Sequence, residues 1–297
     1  MNPQLLFFIG KGGVGKSTTS ALTSIHLARN SRDTLLVSMD PAHNQRDIFE
    51  RDFSEKPCKV AEFLMVKEVD SDFWIEKYLK DAQAQITRTY RYESAFSLQN
   101  YFNVLQFSPG LEEYALLLAF EDIIRRFRDK EFIVFDMAPT ALTLRFFSLP
   151  FITQVWLEEL LKLRTRIYEK KEIISRIKFG KGEIEQDKVK RKLGSLIHNY
   201  EHLAQHFLSS GTRINLVMNR DRLSLSEALR IREKLGAIGI EIDKVIVNKV
   251  SRDDSTADIE REFGTQKISS LPLAPGSLVG YSTLKAYTAA NAEGFQD

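Results

Sequence analysis

FFIGKGGVGKSTTS, residues 7–20, crowds four glycines and two lysines into the seven positions from Gly10 to Lys16, directly after an apolar run. Glycine loses more backbone freedom on folding than any other residue. Four of them in one short loop therefore mark a place where the backbone itself must approach something closely. The order Gly10-Lys11-Gly12-Gly13-Val14-Gly15-Lys16-Ser17 fits the template G-x-x-x-x-G-K-[ST] of a phosphate-cradling loop. Its setting is the one that mechanism needs, a buried strand before it and a helix after it. Successive N–H groups of Gly10, Gly12, Gly13, Val14 and Gly15 would turn inward on a β-phosphate. The positive end of the helix that begins near Lys16 would add to that field, with Thr18 in its first turn. Lys16 would bridge the β- and γ-phosphates, and the Ser17 hydroxyl would sit on Mg²⁺.

Lys11 is not required by that template. A cation there becomes useful if a second subunit brings its own nucleotide alongside. Supplied in trans, a charge on the transferring phosphoryl group is worth about 10³–10⁵ in rate. A solvated surface lysine is the alternative reading of the loop taken alone.

The rest of the chain alternates short apolar runs with longer amphipathic ones. Strands are expected at 4–9, 34–39, 62–69, 132–138, 213–219, 243–250 and 267–272. Helices are expected at 16–30, 71–91, 111–129, 142–175, 224–237 and 254–263. Several strand runs are almost continuously apolar, as in a parallel sheet covered on both faces. The expected fold is therefore α/β, a doubly wound, mostly parallel sheet of the phosphate-loop NTPase type. Only helical pattern runs from 151 to 210, so residues 1–150 and 211–297 are read as the phosphate-loop domain and 151–210 as a helical insertion. Between Lys162 and Lys192 twelve Lys/Arg stand against five Asp/Glu, a local +7 that leaves −5 for the rest of a chain at +2. With so small a net charge no nucleic-acid partner is expected. No run reaches the length of a membrane span, and a cytoplasmic protein is expected. Cys58 is the only cysteine, which excludes internal disulfides and a four-cysteine metal site built from one subunit.

Asp40 and Asp136 each end an apolar run, at the carboxyl edge where ligands bind in such sheets. Two carboxylates near a triphosphate suit Mg²⁺, held through few protein ligands and several waters. Asp136 is read as the residue that orients those waters, with Asp40 beside it; loop-capping aspartates are the alternative. Asp47 lies seven residues beyond Asp40 in a polar loop, where an N-cap for the following IFE segment competes with any catalytic role.

GKGGVGKST resembles the deviant phosphate loop of the MinD/ParA/nitrogenase-iron-protein class of ATPases, which dimerise face to face across their nucleotides. Within that class the chain is similar to the arsenite-pump (ArsA) and tail-anchored-protein targeting (GET pathway) ATPases. SMDPAHNQRDIF (38–49) resembles the family's switch I, and FDMAPTALTLRFFSLP (135–150) its switch II with the following helix. LMVKEVD (64–70), SPGLEEYALL (108–117), LSLSEALRIREKL (223–235), VIVNKV (245–250) and LPLAPGSLVG (271–280) follow in family order. The resemblance implies a Mg²⁺-dependent ATP hydrolase that acts as a homodimer. It implies that Asp47 addresses the attacking water, that Lys11 reaches the partner's site, that Asn248 reads the adenine and that Pro272 packs near it. Pro139-Thr140 would stiffen the turn that senses the γ-phosphate.

The chain also departs from the family. Ala141-Leu142 replaces the Gly-His after the switch II APT, and Ser277 and Val279 replace an acidic residue and an arginine near the base. The cysteine trio that binds arsenite is absent, as is the Cys-x-x-Cys pair of zinc-clamped targeting dimers. Targeting members use a methionine-rich groove for a client's apolar helix. Here FFSLPFITQVWLEELL (146–161) is densely apolar, yet no methionine lies between Met137 and Met218. Subdomain core is the preferred reading of that stretch, with client capture behind it. The basic run is read as a solvated face before an acidic protein partner or an anionic membrane. His198, His202 and His206 are read as a solvent-facing stripe opposite Leu196, Tyr200, Leu203 and Phe207. A ParA/MinD-like spatial organiser and a slowly hydrolysing nucleotide-regulated scaffold are the competing functions.

Overall fold

A computed structural model describes residues 3–89, 108, 110–179, 188–251, 255–264 and 266–295. The strands are β1 Gln4–Ile9, β2 Thr34–Ser38, β3 Cys58–Ala61, β4 Leu64–Glu68, β5 Phe132–Asp136, β6 Thr212–Asn219, β7 Lys244–Val250 and β8 Lys267–Pro272. Described helices are α1 Lys16–Arg29, α2 Asn44–Phe49, α3 Ser71–Thr89, α4 Leu111–Arg126, α5 Thr140–Phe179, α6 Lys188–Leu208, α7 Arg222–Gly236, α8 Ala257–Phe263 and α9 Tyr281–Ala290. A 3₁₀ turn, Ala292–Phe295, follows.

One eight-stranded sheet runs in the order β3-β4-β2-β5-β1-β6-β7-β8. Every neighbouring pair is parallel except β3–β4. This is the expected α/β fold, with one antiparallel edge. The direction of strand order reverses around β1, which pairs with β5 on one side and β6 on the other. In open α/β sheets the crevice at such a reversal, beyond the carboxyl ends of the strands, is where ligands sit.

Alternation along β1 explains why its run is apolar throughout. Leu6 and Phe8 join a core with Leu22 and Ile25 of α1 and Leu284 of α9. Phe7 points to the other face, its ring stacked on Phe135 at 4.8 Å and tilted against Phe120 of α4 and Phe146 of α5.

The chain divides into two compact units, Met1–Phe146 with Ser210–Asp297, and Phe147–Ser209. In the second, Phe147 and Phe207 meet edge to face at 4.9 Å, and Leu203 and Phe207 of α6 are buried.

Several expectations need correction. The strand expected at 62–69 is β4; the short β3 before it, joined to it by a tight turn, was not expected. The polar loop holding Asp47 is the short helix α2, and Asp47 sits inside it rather than capping it. Helix α9 was not expected. The helix from 140 continues through Pro150 to Phe179; residues 180–187 of the helical insertion lie outside the described residues, as do 90–91 and 254 of two expected helices. Within 146–161, Phe146 and Phe147 are core, whereas Ile152, Val155, Trp156 and Leu160 are exposed, which corrects the reading of the whole stretch as core. His198 and His202 are exposed but His206 is half-buried, and burial lowers its pKa. Among the described residues no helix is long and apolar enough to cross a membrane, and no group of three or more His, Cys, Asp or Glu could hold a metal.

Candidate functional site

The loop between β1 and α1 has the backbone its glycines permit. Gly10, Gly13 and Gly15 have φ of 145°, 81° and 93°. A Cβ on Gly10 would fall 2.2 Å from the Val217 carbonyl oxygen, so β1 and β6 can approach only with glycine there. A Cβ on Gly15 would meet the Asn248 side chain at 2.3 Å. Val14 is buried, which pins the middle of the loop to the core, while Gly12 is exposed.

Lys16 opens α1 and is 5 % exposed. Its Nζ donates to the Lys11 carbonyl at 3.3 Å, curling the side chain back over the loop. Burial lowers its pKa, against the opposing pull of the Asp136 and Asp40 charges. Lys11 is half-buried on the same loop.

Asp136 ends β5 and is fully buried. Burial raises its carboxyl to about 7, against the lowering effects of hydrogen bonds from Gln45 and Ser17 and of the Lys16 charge. Its Oδ2 accepts from Gln45 Nε2 at 2.9 Å, while its Oδ1 is buried without a hydrogen-bond partner. An orphaned carboxylate oxygen in a dry interior costs about 1–3 kcal/mol or more, and a hydrated divalent cation is a group that relieves it. The residues present therefore fit Mg²⁺: Asp136 with a free oxygen, the Ser17 hydroxyl beside it, and Asp40 close enough to act on both Asp136 and Lys16. Asp40 is the more committed carboxylate. Its Oδ1 accepts from Ala42 N at 3.0 Å and its Oδ2 from Asn44 Nδ2 at 3.3 Å.

Gln45 was not singled out in the sequence. It is fully buried, and its amide nitrogen also lies 3.1 Å from the Ser17 carbonyl and 3.4 Å from Ser20 Oγ. It ties α2 to both the phosphate-loop helix and the end of β5. Nothing in the pattern HNQRD distinguishes a buried amide from an exposed one.

A cleft of about 330 Å³ opens beside the loop, lined by residues that include Gly15, Thr18, Asp47, Asn248 and Pro272. Asn248 has both polar atoms of its side chain engaged: Nδ2 donates to Val14 O at 2.8 Å and Oδ1 accepts from Lys249 N at 2.9 Å. It straps the phosphate loop to β7 and keeps one N–H and one lone pair for a ligand. Lys249, also unforeseen, adopts φ of 58° and reaches the Gly13 carbonyl at 3.4 Å. Pro272 closes β8, its carbonyl accepting from the Tyr287 hydroxyl. The turn after β5 is held by Thr143, whose hydroxyl donates to Ala138 O at 2.6 Å.

This arrangement sets a cationic loop, two carboxylates and an open cleft at the carboxyl edge of the sheet. The family model described as "Anion-transporting ATPase" matches residues 3–290. A protein of Aquifex aeolicus named "Putative arsenical pump-driving ATPase 2" is 27 % identical over 96 % of this chain and 98 % of its own. The ATPase get3 of Schizosaccharomyces pombe is 29 % identical over 95 % and 89 %, and the ATPase GET3A of Arabidopsis thaliana 27 % over 95 % and 82 %.

Proposed function

The chain belongs to the anion-transporting ATPase family, and from that premise we propose that it is a Mg²⁺-dependent ATP hydrolase of the cytoplasm, working as a nucleotide-sandwich homodimer. The observation that carries this reading is the convergence on one sheet edge of Lys16, the left-handed glycine loop and Asp136 with its unpartnered oxygen. The loop amides and Lys16 bind the phosphates. Ser17 and Asp136 hold the cation, with Asp40 beside them, and when bound Mg²⁺ supplies charge neutralisation at the phosphates. Asp47 faces the cleft from α2 and orients or deprotonates the attacking water. Asn248 and Pro272 flank the base. Lys11 is lent to the partner's nucleotide, where a fixed charge acts on the transferring phosphoryl group. Catalysis of this type is positioning plus electrostatics.

A second part of the reading is supported by the helical unit. Ile152, Val155, Trp156, Leu160, Leu163 and Ile167 are all 40–67 % exposed and recur every three or four residues along α5. That spacing lines them on one side of the helix. We infer that this face takes the apolar helix of a client, and that dimer closing and opening moves it; an acidic protein drawn to the basic run is the other partner weighed. Phosphate release from ATP tests the activity: turnover with Mg²⁺, none with a chelator and none in Lys16→Ala support it, and chelator-resistant turnover contradicts it.

A further inference from the structure

Helix α2 begins without a cap of its own. His43, at its N-cap position, has φ of 50°, and its side chain bonds none of the helix amides. A six-residue helix is far too short to stand by itself, and its first amides are orphan donors. They are satisfied from another strand. Glu68 closes β4, is 4 % exposed, and its Oε1 accepts from Arg46 N at 3.1 Å, with the Gln45 backbone N–H directed to the same carboxylate. The other oxygen, Oε2, lies 3.6 Å from His43 Nδ1. Burial raises the Glu68 pKa, with the α2 amides and His43 opposing that rise. The protein thus keeps an acid in its interior at a cost, and its partners are the first turn of α2. The register explains the reach. Glu68 pairs with Ser38, two residues before Asp40, so β4 presents its carboxylate beside the strand that leads into the switch.

Everything that α2 delivers depends on where that first turn stands. Asn44 bonds Asp40, Gln45 bonds Asp136, and Asp47 lines the cleft. We propose that Glu68 is a positioning residue for hydrolysis: it caps α2 across strands and so sets Asp47 against the nucleotide, while touching neither nucleotide nor cation. The inference rests on the proposed role of Asp47.

Three variants of the full chain test it by single-turnover hydrolysis and by titration with a fluorescent ATP analogue. Glu68→Gln keeps an oxygen that can accept the Arg46 N–H, and should stay within about threefold of wild type. Glu68→Met fills the same space without an acceptor, and Glu68→Ala empties it. Both should lose about tenfold or more in turnover while nucleotide affinity stays within about twofold, because the phosphate loop is untouched. Glu68→Met guards against an alanine variant that does not fold. Wild-type turnover in folded Glu68→Met overturns the proposal, and so does equal damage from Glu68→Gln and Glu68→Met. Asp47→Asn in parallel separates the two assignments: a fast Asp47→Asn refutes the role of Asp47, and a fast Glu68→Met refutes that of Glu68.

Discussion

Replacing Gly15 by alanine is the perturbation whose consequence the geometry defines most narrowly. Gly15 has φ 93° and ψ 28°, and a left-handed conformation costs an L-residue about 1–2 kcal/mol. The new Cβ would stand 2.3 Å from Asn248 Nδ2, so that amide must move. The same nitrogen donates to Val14 O at 2.8 Å, a bond worth about 0.5–1.5 kcal/mol. The sum is about 1.5–3.5 kcal/mol, or roughly tenfold to a few hundredfold in an equilibrium constant. It is lost from nucleotide affinity where the loop relaxes, and from melting temperature where the loop holds. Titration with fluorescent ADP, with a thermal melt on the same sample, measures both. Gly12→Ala is the control for the melt, since an added Cβ there meets no protein atom within 4 Å; without nucleotide its melting temperature should match wild type. In an Asn248→Ala background the clash is gone, so Gly15→Ala should cost at least about twofold less than it does alone. Unchanged affinity and melting in Gly15→Ala, or strict additivity with Asn248→Ala, would refute the reasoning.

Two further outcomes follow from the same geometry. The Asp136 carboxyl is raised by burial to about 7, so the fold favours its protonated form; its stabilising effect is complete below the ordinary aspartate range and is lost as pH rises toward 7. Without metal, wild type should therefore lose melting temperature relative to Asp136→Asn between pH 4 and 7, and Mg²⁺ with nucleotide should restore it at pH 8; parallel melting curves would contradict this. The chain has two tryptophans, Trp74 buried at 4 % and Trp156 exposed at 67 %. An apolar helical peptide that docks on α5 should shift the emission to the blue in wild type and not in Trp156→Phe, and an unmoved spectrum counts against the client face.

The sheet was legible because its strands are long apolar runs punctuated by one unmistakable loop. What escaped has physical reasons. Helix α2, NQRDIF, is shorter than two turns and polar, so no 3.6-residue period can show. Strand β3, CKVA, is a four-residue antiparallel edge with an irregular register, below the length at which alternation is visible. Gln45 and Glu68 are polar residues whose importance comes from burial, and burial of a polar group is decided by distant neighbours: Asp136 is 91 positions from Gln45. The apolar stretch at 146–161 misled in the opposite sense, since hydrophobicity alone does not say which face of a long helix finds a partner.

The central claim, that each subunit completes its neighbour's site with Lys11, is tested most directly by mixing two inactive variants. Lys11→Ala and Asp47→Asn should each be nearly inert alone. In a mixed dimer the nucleotide of the Lys11→Ala subunit keeps its own Asp47 and receives Lys11 from the partner. One site in two is whole in half of the dimers, so an equimolar mixture should recover about a quarter of wild-type turnover. A mixture as inert as its components, despite mixed dimers seen by light scattering or native mass spectrometry, contradicts the claim and returns Lys11 to its own subunit's loop.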